Sequence, residues 1–323
     1  MCTAITFKGK DHYFGRNLDL EYHYDEHVTI TPRKFPLHFR CVSSLNTHHA
    51  IIGIATVVNN YPLYYDATNE KGLSMAGLNF PGNAVYFPKK ENADNITPFE
   101  FIPWVLGQCE TVAEAEILLR RINLTDICFH PDYPLSPLHW IIADQYRSLT
   151  VESTADGLHV TENPVGVLTN NPPFEYHMYN LSNYLNVTRD EPTNRFSSAV
   201  DLPVYSRGMG GIGLPGDLSS SSRFVRATFT KLNSICGTSE TESISQFFHI
   251  LGSVAQQNGC VQVGSGYEKT IYTSCCNTNT CVYYYTTYEN SQITGVSLFN
   301  EDLCSQTLIC YPLITTQQIH MVN

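Results

Sequence analysis

The sequence predicts an α+β fold of packed sheets covered by helices. Strand-like and helix-like stretches fall in separate blocks along the 323 residues. One-for-one alternation, the mark of a doubly wound parallel sheet, is missing. A 42% hydrophobic and 12% aromatic fraction is that of a chain with a substantial core. No repeat, low-complexity tract or long Pro/Gly/Ser linker divides it, so residues 1–323 read as one domain.

Cys2–Phe7 and His12–Leu20 flank the turn cluster Lys8-Gly9-Lys10-Asp11 and predict a hairpin. Ala50–Val58, Pro62–Thr68 and Leu73–Asn79 predict further strands. Thr97-Pro98-Phe99-Glu100 is a capping box with Pro at the first helical position, so a helix is expected from there to Cys109. Thr111-Val112-Ala113-Glu114 repeats the signal for a helix ending near Ile122. Strands resume at Leu138–Asp144, Ser148–Thr154 and Val165–Asn170, followed by a short helix over Phe174–Leu185. Ser221–Cys236 and Glu242–Gln256 have the apolar spacing of helices. The last third, with Thr270–Cys276, Cys281–Glu289, Ile293–Phe299 and Leu308–Ile314, is strand-rich again.

Composition narrows the partners. The formal net charge is −11, and Lys89-Lys90 and Arg120-Arg121 are isolated pairs. Binding a phosphate backbone takes clustered cations, so nucleic acid is not expected. Lys8, Lys10, Asp11, Arg16 and Asp19 interrupt any signal-like apolar stretch. The longest apolar run, Ala50–Val58, is too short to cross a bilayer. A cytoplasmic protein with no membrane insertion is the expectation. Eleven cysteines, an odd number, fit reduced thiols better than a disulfide framework. Cys275, Cys276 and Cys281 lack the second ligand pair of a zinc site, so neither metal nor cofactor is expected. The glycines at 211, 213 and 216 imitate a dinucleotide fingerprint, but Pro215 interrupts it and no βαβ unit surrounds it.

Cys2 is the first candidate for chemistry. Removal of Met1 would leave one residue carrying both a thiol and a free α-amine, a nucleophile beside its own base. A hairpin turn centred near Gly9 would set Cys2 opposite Arg16 on one face, where a fixed cation favours a thiolate. Asp19 lies just beyond, within reach of an α-ammonium group. A strand-end ion pair of little energetic weight accounts for Arg16 and Asp19 equally well. Asn79 and Asn170 each end a strand before a proline-containing turn, where a carboxamide can donate to a developing oxyanion. Asparagine is also simply common in turns. Arg223, near the start of a helix behind a glycine-rich loop, is a surface arginine unless that loop delivers it to a site.

These pieces coincide with one family pattern. The segments MCTAIT, FGRNLDLE, YPLYYDATNEKGLSMAGLNFPG, LHWIIAD, VGVLTNNPPF, GLPGDLSSSSRF, YTSCC and YYYTTYEN run in order from residue 1 to about residue 290. The sequence resembles the choloylglycine hydrolases, bile-salt hydrolases and penicillin V acylases of the N-terminal-nucleophile superfamily. The resemblance implies a four-layer αββα fold, often a homotetramer, and an amide hydrolase without metal or organic cofactor. It implies that Cys2 is the nucleophile, with Arg16 and Asp19 around its thiol and amine, Asn79 and Asn170 in the oxyanion region, and Arg223 contributed from the later helix. Asn79 matches the bile-salt branch, whose substrates are glycine- or taurine-conjugated bile salts. Tyr61, Leu63, Tyr65, Phe129 and Leu135, on proline- and aromatic-bearing loops, are candidates to line an apolar cleft, or else plain surface-loop or subunit-contact residues. A penicillin V acylase or other N-acyl amide hydrolase is the rival within the family. A non-catalytic binding protein or a thiol redox sensor is the rival outside it.

Overall fold

The computed structural model describes residues 1–323. The first sheet has seven strands. Six follow the order β12 (Val167–Leu168), β1 (Cys2–Lys8), β2 (His12–Leu20), β14 (Gly266–Asn277), β15 (Val282–Thr287) and β16 (Thr294–Ser297), and β13 (Val261–Val263) pairs with β14. The second has eight, in the order β11 (Gly157–Glu162), β10 (Ser148–Thr154), β9 (Leu138–Ala143), β6 (Ser74–Asn79), β5 (Tyr61–Asn69), β4 (Ile51–Val58), β3 (His27–Thr31) and β17 (Ile309–Pro312). Pairing within both sheets is antiparallel. Strands β7 (Asp94–Ile96) and β8 (Ile122–Leu124) form a small parallel pair apart from them.

The period-2 alternation of strands explains the layers. On the second sheet, Met75 and Ile142 pack outward with Phe101, Trp104, Val105 and Val112 of α1 (Phe101–Gln108) and α2 (Val112–Leu119). Their neighbours Ala76 and Ile141 point inward, into one core with Cys2, Phe14 and Leu18 of the first sheet. Phe224, Phe247 and Ile250 of α4 (Ser220–Asn233) and α5 (Glu240–Gly252) join that core from the far side, with Phe174 of α3 (Phe174–Asn180). Helices, sheet, sheet and helices follow one another, the αββα arrangement of an α+β fold.

Three details correct the sequence reading. The hairpin turn is centred one residue later than expected, so Cys2 pairs with Leu18 and Ala4 with Arg16. The shift is even in register, and Cys2 and Arg16 keep a common face. Helix α1 begins at Phe101 and not at Pro98. The Glu100 carboxylate still accepts the Thr97 N–H at 3.2 Å, but that half of the capping box closes a turn. Helix α2 starts as expected, with Thr111 Oγ1 accepting the Glu114 N–H at 3.2 Å, and ends at Leu119 rather than near Ile122.

A β-bulge interrupts the second sheet. Ile54 pairs with Asp66 and Ala55 with Tyr64, so Tyr65 has no opposite number on β4. The extra residue re-aims the backbone around it. Both Tyr65 and Asp66 consequently make contacts on the inner face.

Candidate active site

Cys2 starts β1 and is 3% exposed. Alternation on β1 and β2 sorts its neighbours. Even-numbered Arg16 crosses to the second sheet, where its Nη1 donates to the Tyr65 carbonyl at 3.0 Å and to the Gly77 carbonyl. Odd-numbered Thr3 and Asn17 face the helices, meeting Arg223 Nη1 at 2.6 Å and the Leu251 carbonyl at 3.0 Å. The thiol and Arg16 therefore lie between the sheets, while Asp19 and Arg223 sit on the helix side.

Asn170 joins the two sides. Its Oδ1 accepts the Cys2 backbone N–H at 2.8 Å and Arg223 Nη2 at 2.7 Å. Its Nδ2 donates to the Asn79 carbonyl at 2.7 Å. Three bonds fix the amide orientation, and the backbone is fixed as well. The Asn170 N–H donates to Ser220 Oγ at 2.8 Å, and its carbonyl accepts from His177 Nε2 at 2.8 Å. Nothing accepts from His177 Nδ1, which is buried. Burial lowers the His177 pKa to about 4, so the ring is neutral. This framework explains why β12 stops at Leu168: Thr169 and Asn170 turn away to α3 and α4 instead of continuing the ladder. Asn170 Oδ1 thus holds the Cys2 nitrogen, and its Nδ2 is engaged by the Asn79 carbonyl.

Arg223 is fully buried in the first turn of α4. Besides Asn170 and Thr3 it reaches the Cys2 carbonyl at 2.5 Å and the Leu218 carbonyl at 3.0 Å. Its Nη1 lies 3.9 Å from Asp19 Oδ2, an ion-pair distance and not a hydrogen bond. Asp19 Oδ1 accepts the Thr270 hydroxyl at 2.6 Å, and Oδ2 has no hydrogen-bond partner. Burial raises the Asp19 pKa, and the Arg223 charge opposes that rise. Burial likewise lowers the Arg223 pKa. The Met1 ammonium donates to the Asp19 carbonyl at 2.7 Å and pairs with Glu268. Its pKa is lowered by burial, against the pull of the neighbouring Cys2 and Asp19.

Arg16 is fully buried, and its Nη2 has no partner. Burial alone would lower its pKa, but Cys2, Tyr272, Asp66 and Asp19 around it more than offset that, and the net shift is upward. Asn79 ends β6 with its backbone carbonyl taken by Asn170 and its half-buried side chain free of protein partners. The structure thus ties Cys2, Asp19, Asn170 and Arg223 into one network, with Arg16 on the Cys2 side between the sheets and Asn79 at the rim. What the sequence did not mark are Thr3, Ser220, Thr270 and His177, residues that hold the others. Thr3 and Ser220 lay within quoted motifs, MCTAIT and GLPGDLSSSSRF, but nothing there set them apart from their neighbours.

Of the proposed cleft residues, Tyr61 and Phe129 pack at a tilt with ring centroids 5.9 Å apart, and Phe99 meets both edge-on. The Arg40 guanidinium lies over Phe129 at 5.8 Å. Tyr65 packs on the inner core, and its hydroxyl bonds Thr56 Oγ1 at 3.0 Å. Tyr61, Leu63 and Tyr65 stand on strand β5 and not on a loop, because the stretch pairs with β4; Leu63 and Leu135 are half-buried. Two cavities open elsewhere: about 410 Å³ beside α5, walled by Gln256, Thr270 and Thr287, and about 600 Å³ around Arg33, His49, Glu70 and Lys71. Cys2 lines neither, and no helix is long and apolar enough to cross a membrane.

Residues 2–311 match the model of the linear amide C–N hydrolases, choloylglycine hydrolase family. A bile salt hydrolase/transferase of Lactiplantibacillus plantarum is 58% identical over 326 aligned residues, covering 100% of both chains. The crystal structure of a mutant conjugated bile acid hydrolase from Clostridium perfringens superposes with a TM-score of 0.93 at 35% identity, again over 100% of both chains. A penicillin V acylase from Agrobacterium tumefaciens shares the fold, with a TM-score of 0.74 at 17% identity over 95% of this chain and 90% of the other.

Proposed function

The chain belongs to the choloylglycine hydrolase family of linear amide C–N hydrolases, and from that premise we propose that it hydrolyses the amide of glycine- or taurine-conjugated bile salts with Cys2 as nucleophile. The observation that carries the residue assignment is the bond from the Cys2 nitrogen to Asn170 Oδ1. Once Met1 is removed, that nitrogen is the α-amine, and it already has an acceptor to orient it. The names and full-length coverage of the bile-salt relatives support the substrate class.

The steps follow from the groups in place. The amine takes the thiol proton, and the sulfur attacks the amide carbon. The carbonyl oxygen gains the charge, and the unpartnered Asn79 carboxamide is the donor offered to it. The α-ammonium then gives its proton to the leaving nitrogen, and glycine or taurine departs with the C–N pair, leaving a thioester. Water attacks next, the amine again taking a proton, and the bile acid leaves as the C–S bond breaks. Arg16 balances the sulfur's charge from between the sheets. Arg223 and Asp19 hold the Cys2 backbone and amine from the other side.

The apolar cleft is assigned to Tyr61, Leu63, Tyr65, Phe129 and Leu135, supported by the Tyr61–Phe129–Phe99 cluster. A homotetramer is part of the same proposal. Between α3 and α4 the side chains of Phe196 and Tyr205 are 85% and 81% exposed, which supports a subunit contact there. The test is a comparison of rates on taurocholate, glycocholate and phenoxymethylpenicillin, with intact mass measured on the same sample. Faster penicillin cleavage, or activity in protein that retains Met1, would overturn the reading.

A further inference from the structure

Asp66 is 1% exposed and lies across from Arg16, between the sheets. Three hydroxyls surround its carboxylate: Tyr272 donates to Oδ1 at 2.6 Å, and Tyr283 and Ser274 donate to Oδ2 at 2.5 and 3.0 Å. None of these is a cation. A carboxylate removed from water needs opposite charge close by. Among the groups that face it, Arg16 is the one carrying that charge.

Two connections tie the pair. Ser274 Oγ accepts the Arg16 backbone N–H at 3.0 Å while donating to Asp66. The bulged neighbour Tyr65 gives its carbonyl to Arg16 Nη1 at 3.0 Å. No hydrogen bond joins the carboxylate to the guanidinium, and Arg16 Nη2 stays unpartnered. The Arg16 charge is thus not locked into a bidentate pair with Asp66.

We propose that Asp66 is a positioning residue of the hydrolysis, whose carboxylate shares the charge of Arg16 with the Cys2 sulfur and so sets how much of it the nucleophile feels. This rests on Cys2 being the nucleophile. The other titratable groups at hand are Tyr272 and Cys276 on β14, Tyr283 on β15, Tyr65 on β5, Asp19 on β2, Arg223 on α4 and the amine at the chain start. Burial pushes Tyr272, Tyr283 and Cys276 well above their ordinary pKa values and raises that of Tyr65 as well, so all four keep their protons. Asp19, Arg223 and the amine are unchanged in an Asp66 variant, so a comparison with the wild type isolates Asp66.

The experiment is the pH dependence of Cys2 alkylation by iodoacetamide between pH 5 and 8. It is read on the Cys2 peptide by mass spectrometry, because Cys128, Cys260, Cys304 and Cys310 are exposed and label too. Asp66→Asn keeps an acceptor for the hydroxyls and removes the charge. Labelling at pH 5.5 should quicken by about threefold to tenfold, the scale of one partly screened charge at this range. The acid limb of kcat/KM should move to lower pH. Ser274→Ala breaks the bridge and keeps the charge, so kcat should change while the acid limb stays. An unmoved profile in Asp66→Asn, or an equal shift in Ser274→Ala, would overturn the proposal. Should Asp66→Asn misfold, Asp66→Ser gives the same neutral comparison with a smaller side chain. If alkylation of Cys2 leaves hydrolysis intact, the nucleophile assignment fails instead.

Discussion

The side-chain oxygen of Asn170 lies 2.8 Å from the backbone nitrogen of Cys2, although 168 residues separate them. The same oxygen receives Arg223 Nη2 at 2.7 Å. Asn170→Ala removes the one acceptor that serves both donors. Expected are a drop in kcat on taurocholate of about a hundredfold or more, and a loss of roughly 2–4 kcal/mol in stability, since two buried donors are left unpaired. Steady-state kinetics and urea unfolding of the same variant measure the two effects.

Asn79 offers the opposite balance. Its side chain has no protein partner to lose, so Asn79→Ala should cost little stability, within about 0.5 kcal/mol. If its amide serves the oxyanion, kcat should fall by about 10²–10³ with KM little changed. A variant that raises KM and leaves kcat intact would assign Asn79 to binding.

His177 gives stability a pH dependence. Its folded pKa, lowered by burial to about 4, lies below the 6.5 of a free histidine. The unfolded chain therefore takes up a proton that the native state refuses. The stabilisation is complete above about pH 6.5 and is lost as pH falls toward 4, by up to roughly 3 kcal/mol. His12, also lowered by burial to about 4, adds to the trend. Urea midpoints from pH 7 to 4 should fall accordingly, and more shallowly in His177→Gln. Equal slopes would remove His177 from the account.

Gly15 is the predicted weak point for substitution. A Cβ there would come 2.0 Å from the Ser274 carbonyl oxygen, on a neighbouring strand that cannot yield. Gly15→Ala should force β2 and β14 apart beside Arg16 and cost about 3 kcal/mol or more. Chemical denaturation with far-UV circular dichroism checks this. A stable, active Gly15→Ala protein would show that the strands can part there freely.

The legible parts of the sequence were those with local signals. Capping at Thr111, the turn cluster at Lys8–Asp11 and the alternation of Leu73–Asn79 are each written within a few residues. The face shared by Cys2 and Arg16 survived a wrong turn centre because side chains repeat every second residue. Helix α1 misled because Glu100 does reach Thr97, but in a turn that precedes the helix. The oxygen-to-nitrogen bond of Asn170, the bulge at Tyr65 and the hydroxyls around Asp66 were not legible. Each depends on residues far apart in the chain, and no local pattern distinguishes them from ordinary core polar groups. The family resemblance named the site residues, but it did not say which atom of Asn170 meets Cys2.

The three residues Gly9, Lys10 and Asp11 between β1 and β2 act as a ruler. β2 is anchored to β14 on its other side and β1 to β12 through Ala4–Leu168 and Ile5–Val167, so the turn length must agree with both for Cys2 to arrive at Asn170. One inserted residue would invert β1 and present the sulfur to the helices, away from Arg16. Two would restore the face but carry the sulfur a full repeat along the sheet, past the reach of Asn170. Length drift should therefore be barred from this half-buried tight bend, where the Lys10 N–H donates to Ser243 Oγ at 3.0 Å.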